Sequence, residues 1–324
     1  MKKKKRGAIV ISLMLIFALC IGGVFFAATH YLGKINRVGD IEPIPAEEEF
    51  FDTDDADPSL EVVDPDSIIW DNAATRNDED LINILLVGQD KRPGQGRQRS
   101  DSMILCSFNP ETNRLSMISF LRDLYVQIPG YSDNRLNAAY VFGGFPLLKS
   151  ALNTNFGVTV DGCVEVDFNG FKNVIDTIGG VDIELTEAEA KIIGDGAKAG
   201  KSHLDGEHAL MYARIRKIDS DFGRTERQRN VLNAVFSRLK NSSVSELLGL
   251  VDTVLPMITT DMTNVQITSL AVKYAPALVD LKISTYHVPA NGSYKNAMVR
   301  GMAVLVPDLA KVKEAIFEDY LPLD

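Results

Sequence analysis

The chain has 324 residues, 45% of them hydrophobic, and a formal net charge of −10 at pH 7. Three cysteines are too few for a disulfide framework, and the acidic balance argues against a nucleic-acid partner. The excess charge is local, because residues 40–80 carry sixteen acidic residues and a single base, Arg76. We interpret residues 30–80, which also contain four prolines, as an extended acidic linker outside the cell. A segment that serves only solubility is the alternative.

The N-terminus predicts a membrane anchor. Five basic residues, Lys2 to Arg6, precede an unbroken apolar stretch at residues 7–29. As a helix this stretch would be about 33 Å long, enough to cross a hydrocarbon core of about 30 Å. A cleaved signal peptide is the alternative, although its small-residue cleavage site would be poor. The basic residues favour a cytoplasmic tail at residues 1–6, so that all residues after the helix lie outside the cell membrane.

Residues 81–324 are predicted to form one large domain. Apolar or alternating segments predict strands at 81–88, 103–108, 114–120, 163–167, 181–185 and 281–287. Helical spacing predicts helices at 137–142, 146–155, 168–178, 205–212, 225–239, 261–274 and 307–320. The polar residues 194–201 are interpreted as a hairpin or flap. Because strands and helices alternate, we expect a three-layer α/β arrangement.

Polar residues suited to phosphate binding recur beside these segments. They are Asp90, Arg99, Asp101, Arg122, Arg214, Arg216, Asp221, Arg224 and Gln228. Guanidinium groups bind phosphate oxygens through paired donors, and carboxylates bind the accompanying metal ion. ATP is not expected outside the membrane, so the phosphate would arrive on a lipid or a polymer.

Arg224 lies at the polar end of a core-facing helical stripe. Positions 224, 228, 232, 235 and 239 share one face, and the last three are apolar. A buried arginine is costly unless an anion meets it. That anion is either an internal partner such as Asp221 or a ligand, and the sequence favours neither.

Two residue pairs indicate where an anion and its metal ion would bind. Arg214 and Arg216 point to one side if the chain is extended there, and they would share an anion; a solvated basic strand is the alternative. Asp90 follows the first strand and Asp101 precedes the second. Two carboxylates at the ends of adjacent strands can hold one Mg²⁺, although both could merely cap turns.

Eight short motifs occur in order between residues 81 and 239. They are Val87-Gly88-Gln89-Asp90, Arg99-Ser100-Asp101-Ser102-Met103, Leu121-Arg122-Asp123-Leu124-Tyr125-Val126, Arg135-Leu136-Asn137-Ala138-Ala139-Tyr140, Val164-Glu165-Val166-Asp167-Phe168, Gly179-Gly180-Val181-Asp182, Leu204 to Arg216, and Asp221-Phe222-Gly223-Arg224 through Gln228. This ordered set resembles the LytR-CpsA-Psr (LCP) family. Two residues depart from the family's pattern, since Gln89 stands where a small residue is common and His208 where glutamine is common.

The resemblance implies a three-layer α/β/α sandwich with a central mixed sheet, behind one N-terminal transmembrane helix. It also implies an extracytoplasmic phosphotransferase. Such enzymes move a glycopolymer (teichoic acid, capsule or another wall glycan) from an undecaprenyl-pyrophosphate carrier onto peptidoglycan, usually onto the 6-hydroxyl of N-acetylmuramic acid. A phosphodiester bond results, and an apolar channel takes the prenyl tail. A lipid-pyrophosphate-binding envelope sensor without catalysis and a transcriptional attenuator are the alternatives.

By the same analogy the site residues divide into three roles. Asp90 and Asp101 would bind Mg²⁺, with Mn²⁺ as an alternative metal. The pyrophosphate oxygens would be held by a larger set, namely Arg99, Arg122, Arg214, Arg216, Arg224 and Gln228. Asp221 would orient or deprotonate the incoming hydroxyl, and it forms the expected catalytic set with Arg99, Arg122 and Arg224.

Overall fold

The computed structural model describes residues 32–38, 42–70, 80–89, 97–216, 218–240, 253–274 and 281–323. The predicted membrane span at residues 7–29 and the predicted metal ligand Asp90 lie outside the described residues. Within these ranges, no helix has both the length and the hydropathy needed to cross a bilayer.

The described residues contain thirteen strands. They are β1 (Asn36–Arg37), β2 (Ile82–Gln89), β3 (Ser100–Asn109), β4 (Arg114–Phe120), β5 (Tyr125–Val126), β6 (Asn134–Arg135), β7 (Gly162–Asp167), β8 (Val181–Leu185), β9 (Gly200–Leu204), β10 (Ile258–Thr260), β11 (Lys282–Val288), β12 (Tyr294–Val299) and β13 (Met302–Pro307). Seven of them form the central sheet in the spatial order β1-β10-β7-β2-β3-β4-β11. β3 is antiparallel to both neighbours, whereas β7 and β11 run parallel to β2 and β4. The predicted central mixed sheet is therefore confirmed.

Seven α-helices occur in the described ranges. They are α1 (Leu136–Phe156), α2 (Phe168–Thr177), α3 (Glu187–Ile193), α4 (Gly206–Ala213), α5 (Asp221–Lys240), α6 (Asn264–Tyr274) and α7 (Leu309–Glu314), and a π-helical turn at Ala315–Tyr320 follows α7. The two helices predicted at 137–142 and 146–155 are halves of α1. They are separated by Gly144, with φ of 62° and ψ of −150°. Pro146 lacks an N–H, so the helical hydrogen bonding is interrupted at this kink.

Helices pack on both faces of the central sheet. Alternate residues of β3 point in opposite directions, and its residues from Met103 to Asn109 are all buried. Met103 and Leu105 belong to a core that includes α1 and α7. Ile104 and Cys106 pack instead with Leu232 of α5 and its neighbours. Because both faces of β3 are apolar, the sheet is covered on both sides, which makes three layers.

The acidic segment, residues 42–70, differs from the extended linker expected from its charge. The carboxylate of Glu49 accepts hydrogen bonds from the backbone N–H and the hydroxyl of Ser132, at 2.8 and 2.6 Å. The ring of Trp70 stacks on that of Tyr125, with 6.1 Å between centroids. Aromatic side chains interleaved with the acids therefore hold these residues against the domain, a contribution that a count of charges does not include.

Candidate active site

Four chain segments converge at the edge of the sheet where β3 begins and β4 ends. These two strands are antiparallel neighbours, so Asp101 near the start of β3 lies close to Arg122, just after β4. The first turn of α5 brings Asp221 and Arg224 to the same edge, and the residues after α4 bring Arg216. These site residues therefore lie at or near the ends of strands and helices that pack side by side.

Asp101 is the centre of this cluster. Its Oδ1 accepts a hydrogen bond from Nη1 of Arg122 at 2.8 Å and lies 3.5 Å from Nη2 of Arg216. Its backbone carbonyl lies 3.5 Å from Nη2 of Arg224. Three guanidiniums around one carboxylate present more N–H donors than Asp101 can accept from, and the remaining donors suit an anionic ligand such as a phosphate.

Arg224 is buried with most of its hydrogen-bonding capacity unused. Its side chain is 2% exposed, and Nη2 forms an ion pair with Oδ2 of Asp221 at 2.6 Å. Neither Nε nor Nη1 has a hydrogen-bond partner among the described residues. Burial lowers the pKa of Arg224 to about 10, although the charge of Asp221 opposes this shift. The internal ion pair is therefore real but incomplete, and the remaining donors suit a ligand.

Arg122 is held charged by several carboxylates. Burial acts against its charge, but Asp123, Asp221 and Asp101 together raise its pKa above the usual value. Its Nε lies 3.5 Å from Oδ1 of Asp123. Asp123 is itself half-buried, and this partial burial raises the pKa of its carboxyl. Asp123 belongs to one of the sequence motifs, but no role in the site was predicted for it.

Arg99 joins the cluster from the loop before β3. Its Nη1 forms an ion pair with Asp52, and its guanidinium carbon lies 5.1 Å from the centroid of the Phe50 ring. Burial lowers the pKa of Arg99, and the nearby charges of Arg135 and Arg122 lower it further. Asp52 and Phe50 are residues of the acidic segment, so sequence reasoning missed both as neighbours of the site.

An apolar cavity of about 230 Å³ lies between the sheet and helices α2, α4 and α5. Its wall consists mostly of aliphatic and aromatic residues, namely Leu86, Val87, Gly88, Ser102, Ile104, Val164, Val166, Phe168, Phe171, Val174, Ile175, Leu210, Ala213, Arg214, Gln228, Val231, Leu232 and Val235. Arg214 and Gln228 are two of its polar residues. The guanidinium of Arg214 lies over the ring of Phe168, 4.5 Å from its centroid. Gln228 has a buried Oε1 without a hydrogen-bond partner in the described part of the chain.

The predicted site residues thus divide between two adjoining places. Asp101, Arg122, Arg216, Asp221 and Arg224 meet directly, and Arg99 adjoins them through its proximity to Arg122. Arg214 and Gln228 lie on the cavity wall instead. Both parts lie along α5, whose first turn contributes Arg224 and whose next turns contribute Gln228, Val231 and Val235 to the wall.

Asp101 is the predicted metal ligand that the structure describes. Across the described ranges, no group of three His, Cys, Asp or Glu side chains is arranged to hold a metal ion. Mg²⁺ is usually bound by one or two carboxylates, with waters and phosphate oxygens as its other ligands. Asp101 therefore fits such an ion by the chemistry of its oxygens, and Asp90 would be the second carboxylate.

Gln89, one of the two departures from the family's pattern, is buried in the core. Its side chain is 1% exposed and accepts a hydrogen bond from the backbone N–H of Gln98 at 3.0 Å. Its amide donates to Glu165, which also accepts a hydrogen bond from the Tyr140 hydroxyl. Gln89 thus connects the end of β2 with the residues that lead to Arg99.

The chain belongs to the LytR_cpsA_psr family, whose model matches residues 51–317. The polyisoprenyl-teichoic acid–peptidoglycan teichoic acid transferase TagU of Oceanobacillus iheyensis is 34% identical over 230 residues, which are 68% of this chain and 71% of that protein. The regulatory protein MsrR of Staphylococcus aureus is 36% identical over 173 residues, about half of each chain. A solved structure of TagT bound to LIIa-WTA matches with a TM-score of 0.62 and 26% identity, and it covers 77% of this chain and 96% of that one. The resemblance in the motifs is therefore confirmed.

Proposed function

We propose that this protein transfers a glycopolymer from a polyprenyl-pyrophosphate carrier to peptidoglycan, with formation of a phosphodiester bond. The observation that carries this proposal is the buried Arg224 of the Asp101 cluster, which keeps two nitrogens without a partner among the described residues and lies on the helix that also lines an apolar cavity. A ligand with a doubly charged headgroup and a hydrocarbon tail matches that combination. Membership of a family that includes a teichoic acid transferase supports it further.

The headgroup would bind to the arginines around Asp101. Arg99, Arg122, Arg216 and Arg224 lie around one small region, and guanidinium groups donate paired hydrogen bonds to phosphate oxygens. The first part of the prenyl tail would lie in the cavity, where Val231 and the other aliphatic residues exclude water. Gln228 and Arg214 would contact the ligand where the headgroup meets the tail.

The transfer step exchanges one phosphorus–oxygen bond for another. A hydroxyl of peptidoglycan attacks the phosphorus that carries the glycan, and the bond from that phosphorus to the bridging oxygen breaks. Polyprenyl monophosphate leaves, and Asp221 takes the proton of the hydroxyl. The arginines stabilise the charge that develops on the leaving phosphate, which is the main contribution a protein makes to such transfers. Attack by water instead would release the glycan phosphate as a side reaction.

Asp90 and Asp101 would hold Mg²⁺, or Mn²⁺ in its place, and the bound ion would neutralise further charge on the pyrophosphate. The predicted anchor at residues 7–29 would keep the domain at the outer surface of the cell membrane. The lipid-linked donor is found at that surface, so anchoring raises the rate of encounter between enzyme and donor.

The test uses the full chain in detergent micelles. It is incubated with a prenyl-pyrophosphate-linked glycan, Mg²⁺ and peptidoglycan fragments. We expect a glycan–peptidoglycan phosphodiester and an equal amount of prenyl monophosphate, and about 10²–10³-fold slower formation of both by the Arg224→Met variant. Absence of both products from folded wild-type protein contradicts the proposal.

The second candidate function is a binder of lipid pyrophosphate that acts as an envelope sensor, which the name of the regulatory relative suggests. Such a sensor needs the arginines but not the metal. The Asp101→Asn variant separates the two functions, because it removes a metal ligand while it keeps a hydrogen-bond acceptor for Arg122. Retained envelope function in cells that carry this variant favours the sensor.

A further inference from the structure

We propose that Asp52 and Phe50 are positioning residues for Arg99, so that the acidic segment completes the phosphate site. This inference rests on the proposed function, because it concerns an arginine assigned there to the pyrophosphate. The acidic segment, whose charge had indicated only a spacer, would then contribute to the binding site.

Arg99 differs from the other arginines of the cluster in the origin of its carboxylate. Arg122 and Arg216 contact Asp101, and Arg224 contacts Asp221. Within the described residues, the carboxylate within 4 Å of the Arg99 guanidinium is that of Asp52. The cation–π contact of Arg99 comes from the same segment, because Phe50 lies two residues before Asp52.

The segment around Asp52 is fixed to the domain on both sides. Glu49 accepts two hydrogen bonds from Ser132, and the carbonyl of Phe50 accepts one from Asn134 at 3.0 Å. After Asp52, the carboxylate of Asp55 pairs with the buried guanidinium of Arg135. Asp52 is therefore held at a defined place by contacts that do not involve Arg99.

Asp52 also offsets repulsion between neighbouring arginines. It lies 3.8 Å from Nη1 of Arg135, so its carboxylate is close to two guanidiniums. The charges of Arg135 and Arg122 act against that of Arg99 and lower its pKa. A carboxylate between them therefore favours the charged form of Arg99 and restricts where its side chain can lie.

The pairing leaves Arg99 able to bind a ligand. The contact with Asp52 is made at Nη1, so we assign Nε and Nη2 to the ligand. The Arg99 side chain is 29% exposed, so these nitrogens are not sealed from a phosphate. A carboxylate that competed with the substrate would occupy the donors that the phosphate needs, whereas the contact of Asp52 is at Nη1.

The experiment measures binding of farnesyl pyrophosphate to the full chain in detergent micelles, together with KM and kcat for transfer. We expect Asp52→Asn to weaken binding about tenfold and to raise KM by a similar factor, since a charge-assisted contact is lost. Asp52→Glu should restore most of the affinity. Phe50→Leu should weaken binding about threefold. Glu49→Gln is the matched control, because it loosens the same segment at Ser132 without touching Arg99, and it should change binding less than twofold.

A double-mutant cycle distinguishes positioning from a general structural effect. If Asp52 acts through Arg99, Asp52→Asn should weaken binding less than twofold when Arg99 is already alanine. An equal loss of affinity in the wild-type and Arg99→Ala backgrounds overturns the inference. So does a loss of affinity in Glu49→Gln as large as that in Asp52→Asn. Tighter binding by Asp52→Asn overturns it too and identifies a competing carboxylate.

The inference and the proposed function fail in different ways. Wild-type protein that transfers glycan, with Asp52→Asn indistinguishable from it in binding and KM, contradicts only the inference. Wild-type protein that binds farnesyl pyrophosphate but releases no prenyl monophosphate from the lipid-linked glycan contradicts the function. The binding cycle still decides the role of Asp52 in that case.

Discussion

Two arginines three positions apart on α5 are almost equally buried but lie in opposite surroundings. Arg227, 3% exposed, donates from Nε to Glu189 at 2.7 Å and from Nη1 to the carbonyl of Ile215 at 3.1 Å, and it pairs with Asp219. Arg224, 2% exposed, bonds to described residues through Nη2 alone.

The pKa values of the two guanidiniums follow from these partners. Burial opposes the charge of both. For Arg227, bonds to Asp219 and Glu189 outweigh burial and raise the pKa, whereas burial dominates for Arg224 and lowers it to about 10. Burial of a charge therefore does not by itself identify a functional site. The number of donors left without a partner is the more informative quantity, because each costs free energy unless a ligand supplies the missing acceptor.

Substitution of Arg227 should have the largest effect, which is on stability. We expect Arg227→Met to lower the free energy of unfolding by about 3–5 kcal/mol, because Glu189, 7% exposed, would keep its charge without its partner. Chemical denaturation measures the change. The double variant with Glu189→Gln should recover part of the loss. A decrease below about 1 kcal/mol would show that the pair is not structural.

The next effect is on activity. We expect Arg224→Met to reduce transfer about 10²–10³-fold, since a preorganised donor to the developing charge is lost. Its free energy of unfolding should stay unchanged or rise, because a buried, partly unpaired cation becomes apolar. Asp221, whose side chain is 22% exposed, can be solvated without its partner. If Arg224→Met kept full activity and lost as much stability as Arg227→Met, the two arginines would not differ in role.

A smaller effect concerns the cavity beside Arg224. Val235→Phe would place extra volume in the cavity wall. We expect about tenfold weaker binding of a long prenyl pyrophosphate, with inorganic pyrophosphate bound as in the wild type. Val265→Phe, at a 75% exposed position of α6, is the control for the added ring. Equal losses for both ligands would mean that the cavity does not hold the tail.

The smallest effect lies away from the site, at His208. Its Nδ1 is 2.7 Å from Asp205 and its Nε2 is 3.3 Å from Asp195. Burial opposes the charge, but these two acids raise the pKa of His208 above its usual 6.5. The folded state therefore favours the charged form, and this stabilisation is complete below pH 6.5 and is lost as the pH rises through the raised pKa.

We accordingly expect His208→Gln to lower the free energy of unfolding by less than about 1 kcal/mol at about pH 5.5, and to leave it unchanged at about pH 9. Denaturation curves at the two pH values test this, with wild-type protein in parallel. An equal decrease at both values would assign the effect to packing, which does not depend on charge.

Local patterns predicted most of the central sheet and fewer of the peripheral elements. Arg114–Phe120 has the bounds of the predicted strand, because nearly every one of its residues is apolar or small and buried. The hairpin of β12 and β13 was not predicted. Its buried residues, among them Ala297 and Met302, pack on Tyr125 far away in the chain, so no local pattern marks them. α3 was also missed, although Thr186 and Glu189 form a capping box whose spacing is readable in the sequence.

The site could be predicted only as far as motifs and strand ends specify it. Asp101 and Arg122 flank neighbouring strands, so their approach follows from the sheet. Asp52 is one of sixteen acidic residues at positions 40–80, and nothing in its local sequence distinguishes it. Its contact with Arg99 depends on how the whole segment packs, which is a property of the tertiary structure.

One helix carries both Arg224 and the cavity wall, and this has a consequence for which changes the gene can accept. The angle between the guanidinium and Val231 is fixed by the helical repeat, at about 100° for each residue. Inserting or deleting a single codon between them would turn one away from its partners while the other stayed in place. We therefore expect this stretch to accept no change in length, even one that leaves Arg224 and Val231 themselves intact.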